Sequence, residues 1–257
     1  PKAVLVVSTE LALVLLALFA VSALYSSVGL GGASGYLAVL SMTSFAVSEA
    51  IWLKQYAWSL NLIVAGIAFW HYHKSGHHVV ELSIPFVSAS VPMAAIGGFV
   101  LVEGVVYDSL LSIALIVAAW RLVSGDAGVT DAVRPSVAKA AVVGGAIGLA
   151  SGVIGLGGGI FLLPAPMLGR WATAKEAAAT TALFVWLNSL AGLSGAGLAG
   201  RIDFDLGLLI PFASVVLIGG FLGSRYGSRV SSQSGVRGIL VLVLILAAFR
   251  RVLEILG

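Results

Sequence analysis

Residues 11–28 form a run of 18 positions without a charged side chain, and apolar runs recur at 33–47, 51–70, 79–102, 107–123, 138–154, 159–168, 177–199, 207–224 and 236–253. About 17–25 apolar helical residues match the hydrocarbon thickness of a bilayer. In lipid, a helix pairs its backbone N–H and C=O groups within its own segment. Composition removes the soluble alternative. Of 257 residues, 60% are hydrophobic and 10% charged, whereas a soluble domain is about one quarter charged. Too few polar groups remain to cover an exterior in water, so the pattern predicts an all-α polytopic membrane protein. The run at 11–28 exceeds a typical signal-peptide core and leads into a glycine motif that recurs later, so it reads as a retained helix. Glu10, just before it, reads as a solvated helix-start residue.

The charge balance points the same way. Fourteen Lys and Arg stand against eleven Asp and Glu, scattered singly or in pairs at the ends of apolar runs. Nucleic-acid binding requires basic residues gathered on one face. Dispersed basic residues between apolar runs are instead the pattern of membrane loops. The chain has no cysteine, which excludes thiolate chemistry.

The chain also repeats itself. Val28-Gly29-Leu30-Gly31-Gly32 returns 126 residues later as Ile154-Gly155-Leu156-Gly157-Gly158. Further landmarks follow in the same order: Ser48-Glu49-Ala50 with Lys175-Glu176-Ala177, Leu60-Asn61 with Leu187-Asn188, Ala65-Gly66 with Ala191-Gly192, and Ile84-Pro85-Phe86 with Ile210-Pro211-Phe212. This order predicts a first membrane repeat over 1–123, a polar linker over 124–136 and a second repeat over 137–257. Each repeat has about four spanning helices plus a shorter run after its glycine motif. If the short run is re-entrant, eight crossings give parallel repeats and a Lys/Arg split of 8 against 6 between the two sides. If it crosses, ten crossings give five-plus-five inverted repeats and a split of 9 against 5. The shortness of the runs favours eight, and the charge split favours ten.

Glycine clusters at the end of an apolar helix break it, and a broken helix in a membrane needs protein or a water-lined cavity to satisfy its freed backbone groups. In transporters such breaks mark substrate sites. The turns around Gly31, Gly32 and Ser34 and around Gly157, Gly158 and Gly159 are therefore candidate anion sites, where backbone N–H groups point at the ligand. Ser27 and Ser151 lie near enough in sequence to add hydroxyl donors. Asn61 and Asn188 offer amides at matching places within apolar runs, and Lys54 offers a charge near the start of one. Close helix packing by small residues is the competing explanation for the glycines, and snorkelling for Lys54. Trp58 and Trp186, at matching positions, either wall a cavity or serve as packing. All four histidines lie between His71 and His78. The segment reads as an interfacial polar loop, with a metal site or proton sensor as the sharper alternatives. No catalytic constellation is present, so the sequence predicts neither an enzyme nor a cofactor.

The duplicated G-x-G-G motifs, the S/K-E-A segments, the Leu-Asn landmarks and the later Pro-Phe and Gly-Gly pairs resemble the sulfite exporter TauE/SafE family over about residues 11–253. The resemblance implies a multi-pass permease of a bacterial-type inner (plasma) membrane, built by duplication of a four-helix unit. Its implied substrate is sulfite, a sulfonate or a related small organosulfur anion, moved outward, and its partners are that anion and the lipid bilayer. A homodimer remains open. The first half departs from the pattern with Ala33 where Gly159 stands and Ala38 where Pro164 stands, which predicts an asymmetric site. A cation or metal permease using the His71–His78 loop, or a non-transporting subunit of a membrane complex, are the alternatives.

Overall fold

The computed structural model describes residues 2–100, 102–124, 132–163, 165–166 and 169–229, and these are helical without a strand among them. The helices are α1 Lys2–Ser26, α2 Ala33–Ser41, α3 Ala50–Lys74, α4 Val80–Phe99, α5 Gly104–Ser124, α6 Val137–Ile154, α7 Gly159–Leu162, α8 Ala174–Leu198 and α9 Leu206–Arg229, with a 3-10 turn at Ser44–Val47. Most of the predicted linker, Pro164 and the run at 236–253 lie outside the described residues.

Five segments are long and apolar enough to cross a membrane: Thr9–Ser26, Val80–Phe99, Val137–Ile154, Ala174–Leu198 and Leu206–Arg229. The protein is thus a multi-pass membrane protein. At 25 residues α3 is long enough as well, about 37 Å at 1.5 Å per residue. Its sequence is more polar because it runs through the interior. Lys54, Gln55 and Asn61 are all buried, and α3 packs against α8, α9 and α2. Of the five spans, that of α8 is the most enclosed, 56% buried against 28% for α9. Helices α3 and α8 therefore form the centre, and buried polar side chains collect on them.

Opposite ends of α3 fix the course of the chain. At its C-terminal end the Tyr72 hydroxyl donates to the Ser27 carbonyl at 2.7 Å, so α1 finishes there. At its N-terminal end the Lys54 stem lies against Gly155, and Tyr107 donates to the Ile154 carbonyl at 3.3 Å, so α6 finishes at the other face. Helices α1 and α6, which open the two halves, therefore run in opposite directions. With nine residues and four, α2 and α7 are too short to cross alone. Each short helix is buried among its neighbours inside the bundle.

The packing crosses between the halves. Helix α1 pairs with α9, and α4 pairs with α6. Gly144, Gly148 and Gly152 on α6 abut the backbone of Phe86, Ser90 and Ala94 on α4, in the same order along both helices. Gly219 and Gly223 on α9 abut Phe19 and Ala23 of α1, and Gly227 abuts Ser27 just after it, in the same way. Both pairs are parallel. A Cβ at Gly148 would lie within 3.0 Å of Ser90 backbone, so the small residues are what lets the helices approach. The central pair is reciprocal too: Trp58 of α3 lies against Gly192 of α8, and Trp186 of α8 lies against Gly66 of α3.

Candidate functional site

After Ser26 the chain folds back through a turn in which the Val28 and Leu30 N–H groups both donate to the Tyr25 carbonyl. Gly32, at φ +105°, launches α2; Gly158, at φ +80°, launches α7. Both conformations lie in the left-handed region, where a side chain meets its own backbone, so glycine is required at the two break points. Tyr36 holds the first turn in place by donating to the Gly31 carbonyl at 2.8 Å.

The turns meet beside the middle of α3. Asn61 Oδ1 accepts the Ala33 N–H at 3.0 Å, and its Nδ2 donates to Ser189 Oγ at 3.2 Å. Gly31 and Gly157 both lie against this amide, and a Cβ on either would collide with it. Val185 of α8 touches the positions of Gly31, Gly157 and Gly159, and Leu30 of the first turn reaches Gly159 of the second. Asn61 is therefore a tie between the first turn and α8, with one hydrogen bond at each end of its amide.

Asn188, its sequence counterpart, is different. Its side chain is 0% exposed, and neither Nδ2 nor Oδ1 has a hydrogen-bond partner among the described residues. The same holds for Ser151 Oγ and Thr181 Oγ1, both also 0% exposed. A buried polar group left without a partner costs about 1–3 kcal/mol. Thr181, Val185 and Asn188 are spaced by four and three residues and so share one face of α8. Thr181 lies against Gly159, and the Ser151 Cβ lies against Gly158. Three unpartnered buried side chains thus belong to the second turn and the α8 face beside it.

The other predicted residues are placed as follows. Ser34 donates to the Tyr25 hydroxyl at 3.0 Å, and Ser27 Oγ to the Leu24 carbonyl at 2.6 Å. Lys54 is 1% exposed and borders the start of the second turn. Its Nζ donates to the Val102 carbonyl at 3.4 Å and lies 4.9 Å from the Tyr107 ring centroid. It is buried, not snorkelling. Next to it, the Gln55 amide exchanges hydrogen bonds with the Asp203 backbone and clamps the α8–α9 loop. Glu10 lies inside α1, where its carboxylate accepts the Ser44 N–H at 2.7 Å and so fastens the far end of α2. Tyr25, Tyr36, Thr181, Val185 and Ser189 were not selected from sequence as site residues. Their signal is adjacency, since each is next to a landmark or one helical turn from it.

The histidines separate into two environments. His71 is buried on α3 with Nδ1 2.8 Å from Ser224 Oγ. His73 and His78 face each other, Nδ1 to Nδ1, at 3.3 Å. Burial, and then His73, push the His78 pKa below the usual histidine value. Among the described residues there is no group of three His, Cys, Asp or Glu able to hold a metal ion.

Comparison with known proteins matches residues 14–251 to the family described as sulfite exporter TauE/SafE. A protein of Sinorhizobium fredii (strain NBRC 101917 / NGR234), named "Probable membrane transporter protein y4hK", is 32% identical over 241 residues, covering 91% of this chain and 95% of its own. No solved structure matches.

Proposed function

Since the chain belongs to the sulfite exporter TauE/SafE family, we propose that this membrane transporter exports a small sulfur-containing anion of the sulfite, sulfonate or sulfoacetate type across an inner membrane. The two halves act as inverted repeats, 1–123 and 137–257 joined by 124–136, and the anion is held between them at the level of the glycine turns. One observation carries the placement: the unpartnered Asn188 amide, with the Ser151 and Thr181 hydroxyls, on the second turn and the facing side of α8. Amide and hydroxyl donors suit oxyanion oxygens, while Asn188 Oδ1 is free to accept a hydrogen bond from a protonated or hydroxylated substrate. Gly157, Gly158 and Gly159, having no side chains, let the second turn lie directly beside these donors, and Gly31, Gly32, Ser34 and Asn61 hold the opposing turn rigid. This division of labour agrees with the asymmetry expected from Ala33.

Orientation follows from charge. Among described side chains, Lys74, Arg134, Lys139, Arg170, Lys175, Arg225 and Arg229 belong to the Tyr72 end, and Lys54 and Arg201 to the other. The positive-inside rule assigns the Tyr72 end to the cytoplasm. An anion leaving a negative cytoplasm gains about 2.3 kcal/mol per charge at 100 mV, so uniport suffices for export. Lys54, buried toward the outer face, is the cation that a departing anion meets. Rocking of the parallel pairs α1/α9 and α4/α6 about the central α3/α8 pair exposes the site alternately to each side.

The test is efflux of labelled sulfite, with taurine and sulfoacetate as competitors, from liposomes holding the purified protein under an imposed potential. Saturable flux that follows the potential is the expected result. Absence of flux for every sulfur anion refutes the substrate class.

A further inference from the structure

A polar cavity lies away from the glycine turns, at the Tyr72 end between the last turns of α3 and α9. It encloses about 370 Å³, and its walls include Trp70, His71, Lys74, Phe221, Arg225 and Arg229. Three permanent cations therefore face one space. None of the three forms an ion pair among the described residues, where the salt bridge observed is Arg134 to Glu176. Neither α3 nor α9 contains an acid; Glu49 and Asp205 stand just before their N-terminal ends, at the opposite end of both helices from the cavity. Like charges gathered without a carboxylate repel one another, and an anion in the cavity relieves that repulsion.

The flank of the cavity identifies what carries the anion. Ile218, Leu222, Arg225 and Arg229 follow one another at three- and four-residue steps, with Phe221 four residues before Arg225, so they form a single stripe along α9. The stripe is apolar toward the bilayer centre, with Ile218 and Leu222 each 53% exposed, and basic at the helix end. Across the opening Trp70 is 51% exposed, and Lys74 Nζ lies 5.1 Å from its ring centroid. An exposed tryptophan beside helix-terminal lysine and arginine marks the headgroup level of a membrane. A basic recess that continues into an exposed apolar stripe has the shape of an anionic phospholipid, with phosphate among the cations and acyl chains along α9.

We propose that this recess is a binding site for an anionic phospholipid, which presents its phosphate to Lys74, Arg225 and Arg229. The site is separate from the transport path and does not depend on the identity of the transported anion.

Nanodiscs of phosphatidylcholine containing a small fraction of brominated phosphatidylglycerol provide the test, because bromine quenches a tryptophan it touches. Quenching above that given by the same fraction of brominated phosphatidylcholine, and lost in Trp70→Phe, is the expected result. Arg225→Gln with Arg229→Gln should weaken the lipid by about 25-fold, at about fivefold per basic residue. Lys74→Gln, at the exposed end of α3, should give about fivefold and serves if the double variant fails to fold by circular dichroism. Equal quenching by the two brominated lipids, or undiminished quenching in both charge variants, overturns the proposal. Relief of the quenching by millimolar inorganic phosphate, at an ionic strength matched with chloride, reassigns the recess to a soluble anion and overturns the lipid.

Discussion

Replacing the two matched asparagines by leucine should separate scaffold from binding site. In Asn61→Leu the Ala33 N–H loses its acceptor at 3.0 Å and Ser189 its donor at 3.2 Å, both in the buried centre. An orphaned buried donor costs about 1–3 kcal/mol, so Asn61→Leu should destabilise the protein by about that amount. The first glycine turn would loosen with it. In Asn188→Leu no hydrogen bond to a described residue is lost, because neither amide atom has such a partner. Removing two buried unpartnered polar atoms and substituting an apolar side chain of similar volume should leave stability unchanged or raise it by about 1 kcal/mol. The effect on transport should be reversed in emphasis, with Asn188→Leu abolishing saturable sulfite flux in a protein that is as stable as wild type. Unfolding in mixed dodecylmaltoside and SDS micelles gives the stability, and the liposome efflux assay gives the flux. If Asn188→Leu is destabilised as much as Asn61→Leu and still transports at the wild-type rate, the placement of the anion beside the second turn is refuted.

Three further outcomes follow from the geometry. Gly148→Val should cost at least about 1–3 kcal/mol, because its Cβ would strike the Ser90 backbone, whereas Gly145→Val meets Ala89 and Met93 at ordinary contact distance and should be tolerated. The same SDS titration checks both, and equal loss would remove the close approach of α4 and α6 as the reason for the glycines. Lys54→Met should raise the apparent KM for export by roughly five- to thirty-fold, the value of about 1–2 kcal/mol for one partly screened charge, without lowering stability; unchanged KM excludes Lys54 from the path. Because the His78 pKa is lowered in the folded protein, the neutral ring contributes stability that is present above the ordinary value of 6.5 and is lost as pH falls from there through the lower folded value. The thermal midpoint should therefore drop as pH falls below about 6.5, and His78→Gln should flatten that drop.

Much of this architecture is legible in the sequence because lipid enforces a simple rule, that backbone groups are paired within apolar helices. The short helices α2 and α7 were visible as apolar runs too short to cross behind glycine clusters. The opposed directions of α1 and α6 were less legible. A nine-residue or four-residue helix reverses the chain or does not, according to where its turn sits in depth, and run length carries no depth. The chemistry divides in the same way. Asn61 and Asn188 look alike as residues at matching positions, and only their neighbours differ: Ser189 and the Ala33 N–H surround one, while no described group bonds the other. Lys54 looks like an interfacial lysine because it falls in the first turns of a helix. The α4–α5 loop and Tyr107 enclose it, and those contacts come from residues some fifty positions away.

The pairing of α1 with α9 has a consequence for how the protein is made. Synthesis at roughly 5–20 residues per second separates the two helices by about 10–40 seconds, during which α1 has entered the membrane and its permanent neighbour does not yet exist. The face it will present to Gly219 and Gly223 carries Ser22 and Ser26, hydroxyls that would be costly to leave bare in lipid. Both are already occupied within α1, donating to the Phe19 carbonyl at 2.8 Å and the Ala23 carbonyl at 3.2 Å. The helix can wait, and the chain is able to be born in an order that its finished packing does not follow.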